Sequence, residues 1–235
     1  MATKKTSALN YSKPPTNLDD HLFFGFKLDP EQLAFANSIW NKDKKVVFVD
    51  APAGVGKSFV AIATGVLLVQ YHVYEKLIYV VSPVFEKRQG YLKGTQREKS
   101  EIYFDNMYST LIKLGINPMF AVANETLEQD KNGDAFIYCM THTYLRGMNF
   151  ENAVVIFDES QNFTTDELKK CLTRCADSCT VVISGHQGQC DLEKPEQSGF
   201  IKYLDHFKDD ERTAICTLTQ NHRGWIASHA DKLKI

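Results

Sequence analysis

The sequence predicts an α/β protein, a three-layer α/β/α sandwich around a mostly parallel sheet, and three observations carry that reading. Short apolar runs rich in branched and aromatic residues recur at 46–49, 77–81, 136–140, 154–157, 181–183 and 215–218. They are continuous rather than alternating, which marks strands covered on both faces, and two-sided cover requires crossover helices. A glycine-bearing loop separates the first run from a helix-prone stretch, 59–69. In such sheets ligands sit at the carboxyl ends of the strands.

Length and composition fit this picture. With 235 residues and 43% apolar content, one large domain is favoured, residues 21–235. Residues 1–20 are polar, contain Lys4, Lys5, Lys13, Pro14 and Pro15, and read as a flexible arm. The formal net charge of −2 announces no global positive field, so nucleic-acid binding would need a local patch. Six scattered cysteines without a CxxC pair, and no secretory leader, point to a reducing cytoplasm. No apolar run approaches the ~20 residues that span a bilayer, so a soluble protein without a membrane partner is expected.

In chain order, the first chemistry-bearing element is the octapeptide Ala51-Pro52-Ala53-Gly54-Val55-Gly56-Lys57-Ser58. A loop leaving a buried strand can wrap a triphosphate and aim backbone N–H groups at its oxygens, and glycines permit the close approach. Lys57 would place its charge on the β- and γ-phosphates, Ser58 would offer a hydroxyl to Mg2+, and the following helix would present its positive end, with Phe59 beside the ligand. Ala51 stands where the usual pattern has glycine. The bland alternative is a glycine turn before a core helix.

Further along, Asp158-Glu159-Ser160-Gln161-Asn162 follows the run 154–157 directly. Asp158, at the strand end, is placed to hold the magnesium shell, and Glu159 to polarise an attacking water as general base. Alone, the segment would read as an acidic turn before a helix capped by Thr164 or Thr165. The next strand ends in Ser184-Gly185-His186-Gln187-Gly188-Gln189, where Gln189 could sense a γ-phosphate or else lie in a surface turn. Cys171, Cys175 and Cys179 recur every four residues, which suits one face of a helix and core packing better than a metal site.

Taken in order, these motifs resemble the PhoH family of P-loop ATPases, which belongs with helicase-like, RecA-type proteins. The resemblance spans most of the chain. It adds Leu28-Asp29-Pro30-Glu31-Gln32, Ser82-Pro83-Val84, Gly90-Tyr91-Leu92-Lys93-Gly94 and Leu145-Arg146-Gly147 to the boxes above. His186 replaces the family's aspartate and Ser82 a common arginine, so a divergent member is implied. The resemblance implies ATP and Mg2+ as cofactors, Gln32 as a reader of the adenine edge, and Arg223, in Thr219-Gln220-Asn221-His222-Arg223-Gly224, as an arginine finger for the γ-phosphate; the bland alternatives are a solvated polar residue at a helix start and a surface arginine at a helix cap. It also implies coupling to RNA or single-stranded DNA and a ring-like homo-oligomer such as a hexamer, with Arg223 or another basic residue reaching across subunits.

Lys87, Arg88, Lys93 and Arg97, interleaved with Phe85 and Tyr91, form the best nucleic-acid patch, which Arg146 could join; a solvated loop would have a similar composition. Two further functions fit the motifs. A small-molecule kinase would need an acceptor pocket and an arginine-rich lid, against which Asp158, Glu159 and Gln189 favour water. A non-hydrolysing ATP-gated binding module would have no use for Glu159.

Overall fold

The computed structural model describes residues 13–83, 102–123, 135–145 and 147–230. Its strands are β1 (Val46–Asp50), β2 (Lys76–Val81), β3 (Ile137–Thr141), β4 (Ala153–Asp158), β5 (Thr180–Gly185) and β6 (Thr213–Thr217). All pair in parallel, in the order β3-β2-β4-β5-β1-β6. Each expected apolar run is a strand. The last lies slightly earlier than 215–218 because its buried Leu218 belongs to the turn that follows.

Alternation within the strands builds the layers, since successive side chains point to opposite faces. Val47, Val49, Leu77, Tyr79, Val154, Ile156 and Val182 share one core with helices α1 (Pro30–Trp40), α2 (Lys57–Gln70) and α3 (Asp105–Lys113). Phe48, Ile78, Val80, Val155, Phe157, Val181 and Ile183 share the other with α5 (Thr165–Leu172) and α6 (Phe200–Phe207). The short α4 (Pro118–Ala121) follows α3, and α7 (Trp225–Ala230) follows β6. The sheet is thus sandwiched, and β5 lies between β1 and β4.

Local chemistry sets the helix ends. Asp29 caps α1 by accepting the Gln32 N–H while the Gln32 side chain accepts the Asp29 N–H, and Pro30 fills the first turn. Thr164 and Glu167 cap α5 in the same reciprocal way. In contrast α2 starts at Gly56, in the left-handed region at φ 86°, with no side chain on its first N–H groups. That helix is buried along almost its whole length, and Gly65 lets it approach the sheet, where an added Cβ would collide with the Leu77 side chain.

Two expectations need correction. Residues 13–20 are not a free arm: Leu18 is 1% exposed, its N–H bonds the Asn37 side chain, and Trp40 donates its indole N–H to the Pro15 carbonyl. The cysteines do not share a helix face, because α5 ends at Leu172 and Cys175, in a β-bridge with Phe150, and Cys179 lie beyond it. Among the described residues no cluster of His, Cys, Asp and Glu could hold a metal ion, and no helix is long and apolar enough to cross a membrane.

Gly65→Val is expected to destabilise the protein by about 1–3 kcal/mol through overpacking between α2 and the sheet, read as a lower urea midpoint with an unchanged slope.

Candidate functional site

The loop after β1 turns its carbonyls toward the protein. The Ala53 carbonyl accepts from the Asn221 amide at 3.4 Å, Gly54 from the His222 N–H at 2.9 Å, and Val55 from the Gln32 amide at 2.9 Å. Three successive carbonyls are held on one side. Gly54 and Gly56 have φ of 87° and 86°, and a Cβ on them would strike Arg223 and Gln32 at under 3 Å, so the glycines admit the segments that grip the loop.

Across from the loop, Asp158 is wholly buried at the end of β4. Its Oδ1 accepts the Ser58 hydroxyl at 2.9 Å; its Oδ2 accepts Tyr79 at 2.6 Å and Asn106 at 3.1 Å. Such donors offset the cost of taking a carboxyl group out of water. Burial, and then the charge of Asp158, push the Tyr79 phenol well above its ordinary value, so it remains a donor. Lys57 is 6% exposed, and among the described residues no carboxylate pairs with it.

These groups line one open cleft of about 1010 Å³. Ala53, Gly54, Gly56, Lys57, Ser58 and Phe59 form its floor; Asp158 and Glu159 one wall; His222 and Arg223 the rim above the loop. Tyr103, Asn106, Thr110 and Lys113, spaced three or four apart, present one side of the α3 segment to the cleft. Glu159 is exposed and takes left-handed backbone at φ 50°, a strained geometry of the kind concentrated at functional sites.

The structure brings together Lys57, Ser58, Asp158, Glu159 and Arg223, with the Arg223 side chain lying against Gly54 of the loop. It places two residues elsewhere than expected. Gln32 is engaged by the α1 cap and the Val55 carbonyl, so it holds the loop, and it is not among the residues that line the cleft. The Gln189 side chain is exposed outside the cleft, and its backbone carbonyl makes the contact instead. Ala51 is buried, with its N–H on the Gly185 carbonyl, and Pro52 adjoins it. Lys87, Arg88, Lys93, Arg97 and Arg146 lie outside the described residues.

Sequence reasoning missed Tyr79, Asn106 and the α3 stripe. Tyr79 hid inside an apolar strand, where its ring reads as core. The polar stripe of α3 carried the only available signal, a 3–4 spacing of hydrogen-bonding side chains ending at Lys113.

Comparison with known proteins agrees with this geometry. Residues 27–225 match the family described as PhoH-like protein. The chain is 32% identical over 187 residues to the protein PhoH of Escherichia coli K12, covering 78% of this chain and 50% of that one. It is 30% identical over 176 residues to a PhoH-like protein of Mycobacterium tuberculosis H37Rv, covering 74% and 47%. It thus spans about half the length of the curated relatives it matches. The large terminase of a thermophilic bacteriophage superposes with a TM-score of 0.53 at 15% identity, over 83% of this chain and 46% of that one, a likeness of fold.

The Asp29 carboxylate gives the loop's grip a pH dependence. Burial alone would raise its pKa, but hydrogen bonds from the Gln32 N–H and from His222, at 2.8 Å, bring it below the ordinary value. A lowered carboxylate contributes fully above its unfolded value, about 3.9, and loses that contribution as pH falls through the folded value. Asp29→Ala should cost about 1 kcal/mol at neutral pH through the lost cap and flatten the fall of the urea midpoint as pH drops from about 4 through the folded value.

Proposed function

Because the chain belongs to the PhoH family and has the fold of a P-loop ATPase, we propose that it hydrolyses ATP with magnesium, coupled to RNA or single-stranded DNA. The observation that carries this reading is Lys57. A buried ammonium without a carboxylate partner among the described residues is costly unless an anion joins it. The uncapped N-terminus of α2 beside it adds free N–H groups and the positive end of the helix dipole.

The donor set also fits the metal. Ser58 and Asp158, a hydroxyl and a carboxylate already 2.9 Å apart, are hard oxygen donors of the kind magnesium takes. The ion would supply charge neutralisation on the phosphate oxygens. Lys57 would bind the β- and γ-phosphates, and Glu159, on the open side of the cleft, would orient a water and take its proton. Arg223 would spread its planar charge over the transferring oxygens from within the same chain.

Coupling to a polymer draws on the sequence between β2 and α3. The basic, aromatic segment with Lys87, Arg88, Lys93 and Arg97 is joined at both ends to the cleft, through Val81 and Ser82 before it and Tyr103 and Asn106 after it. A strand bound there would pull on both walls of the site. The proposed assembly is a homo-oligomeric ring, a hexamer, in which a neighbour closes the open side of the cleft while Arg223 acts in its own subunit. Six free thiols suit a reducing, cytoplasmic setting.

Phosphate release from Mg·ATP tests the proposal. Lys57→Ala and Glu159→Gln should each lose about a thousandfold in rate, with nucleotide binding kept in Glu159→Gln. Turnover should rise with one single-stranded polymer and fall on protein dilution. A wild type that releases no phosphate at any concentration overturns the reading, and dilution-independent turnover overturns the ring.

A further inference from the structure

The turn after Glu159 contains a buried amide with no part in ligand binding. Gln161 is 1% exposed and does not line the cleft. Its Nε2 donates to the Glu159 carboxylate at 2.7 Å and to the Gln189 carbonyl at 3.1 Å, and its Oε1 accepts the His186 N–H at 3.0 Å. Both amide hydrogens and the oxygen are therefore engaged. Space for the side chain is reserved by Gly185, where a Cβ would lie 2.9 Å from Oε1 and 3.1 Å from the Phe200 ring.

The neighbouring contacts tie the same two turns together. Asn162 exchanges two hydrogen bonds with Asp191, and Cys190 donates its thiol to the Gln161 carbonyl. The segment after β4 is thus fixed on the segment after β5, the strand between β4 and the loop-bearing β1. Glu159 itself is exposed and sits on strained left-handed backbone, and its carboxylate is met by the Gln161 amide.

We propose that Gln161 is a positioning residue that sets the orientation of the Glu159 carboxylate and makes it follow the 186–189 turn. A charge-assisted bond from a fully buried amide restricts the carboxylate far more than an exposed side chain would restrict itself. Since the amide also grips the backbone at His186 and Gln189, any shift of that turn moves Glu159. Gln189 thereby enters the site through its main chain, and the amide that serves the carboxylate is Gln161. This inference rests on Glu159 orienting the attacking water.

Steady-state hydrolysis and binding of a fluorescent ATP analogue are to be measured on wild type, Gln161→Ala and Gln161→Glu. The second variant keeps the side-chain shape and the acceptor for His186 but cannot donate to Glu159. Both should lower kcat by about a hundredfold while KM and the analogue's Kd stay within about twofold. Unchanged kcat, or a loss shared equally by binding, overturns the proposal. A thermal-unfolding cycle of Glu159→Ala, Gln161→Met and the double variant tests the contact without turnover: the Tm shifts should fail to add by roughly 2–4 °C. Additive shifts overturn the contact even where hydrolysis is seen. A wild type without hydrolysis defeats the ATPase reading and leaves the cycle to decide the contact.

Discussion

A 2.9 Å hydrogen bond joins Ser58 to Asp158 across 100 positions of sequence, and the architecture can be read as what is needed to make it. Ser58 is in the first turn of α2, and Asp158 is the last residue of β4. A parallel sheet brings the carboxyl ends of β1 and β4 to the same edge. The intervening β5 then leaves a gap that the loop spans before α2 crosses back over the sheet. Gly65, by removing a side chain where α2 nears Leu77, sets how closely that helix lies on the strands. Packing in the middle of the helix and chemistry at its start are therefore one problem.

The same logic applies behind the loop. Backbone carbonyls and N–H groups point in opposed directions in an extended or turning chain, so gripping the carbonyls of Ala53, Gly54 and Val55 leaves N–H groups for the open side. The grip comes from opposite ends of the described chain. Gln32 reaches from α1, while Asn221 and His222 reach from the turn beyond β6, and the two are locked by the His222–Asp29 pair and by Thr219 on Glu31. These contacts fix the loop's shape from within the chain itself.

Much of this was legible because it depends on local pattern. Continuous apolar runs marked every strand, and the spacing of Gly54, Gly56, Lys57 and Ser58, with Asp158 and Glu159 at a strand end, marked the centre of the cleft. What stayed hidden depends on which side chains meet. A motif position suggests a ligand-facing amide for Gln32 and leaves Gln189 open between that and a surface turn, since an amide serves a backbone carbonyl or a cap equally well and only the fold decides. Leu18 shows the same limit: one apolar residue in a polar stretch carries no period, but it suffices to seat the chain once Asn37 and Trp40 supply partners. Cys175 and Cys179 keep the four-residue spacing of a helix that has already ended, because spacing extends a pattern past its stop signal.

His186 shows how a departure from a motif acquires a physical reason. Its Nδ1 lies 3.2 Å from Asp50, the last residue of β1, and both side chains are about 30% exposed. An aspartate at 186 would set two carboxylates side by side at the point where β1 and β5 deliver the loop and the 186–189 turn. A histidine instead makes a hydrogen bond there in its neutral form and an ion pair when protonated. The β5 tip is consequently held from two directions, by Asp50 through the imidazole and by Gln161 through the main-chain N–H. Through that one residue the end of β1, which leads into the loop, and the turn after β4 are joined by direct hydrogen bonds.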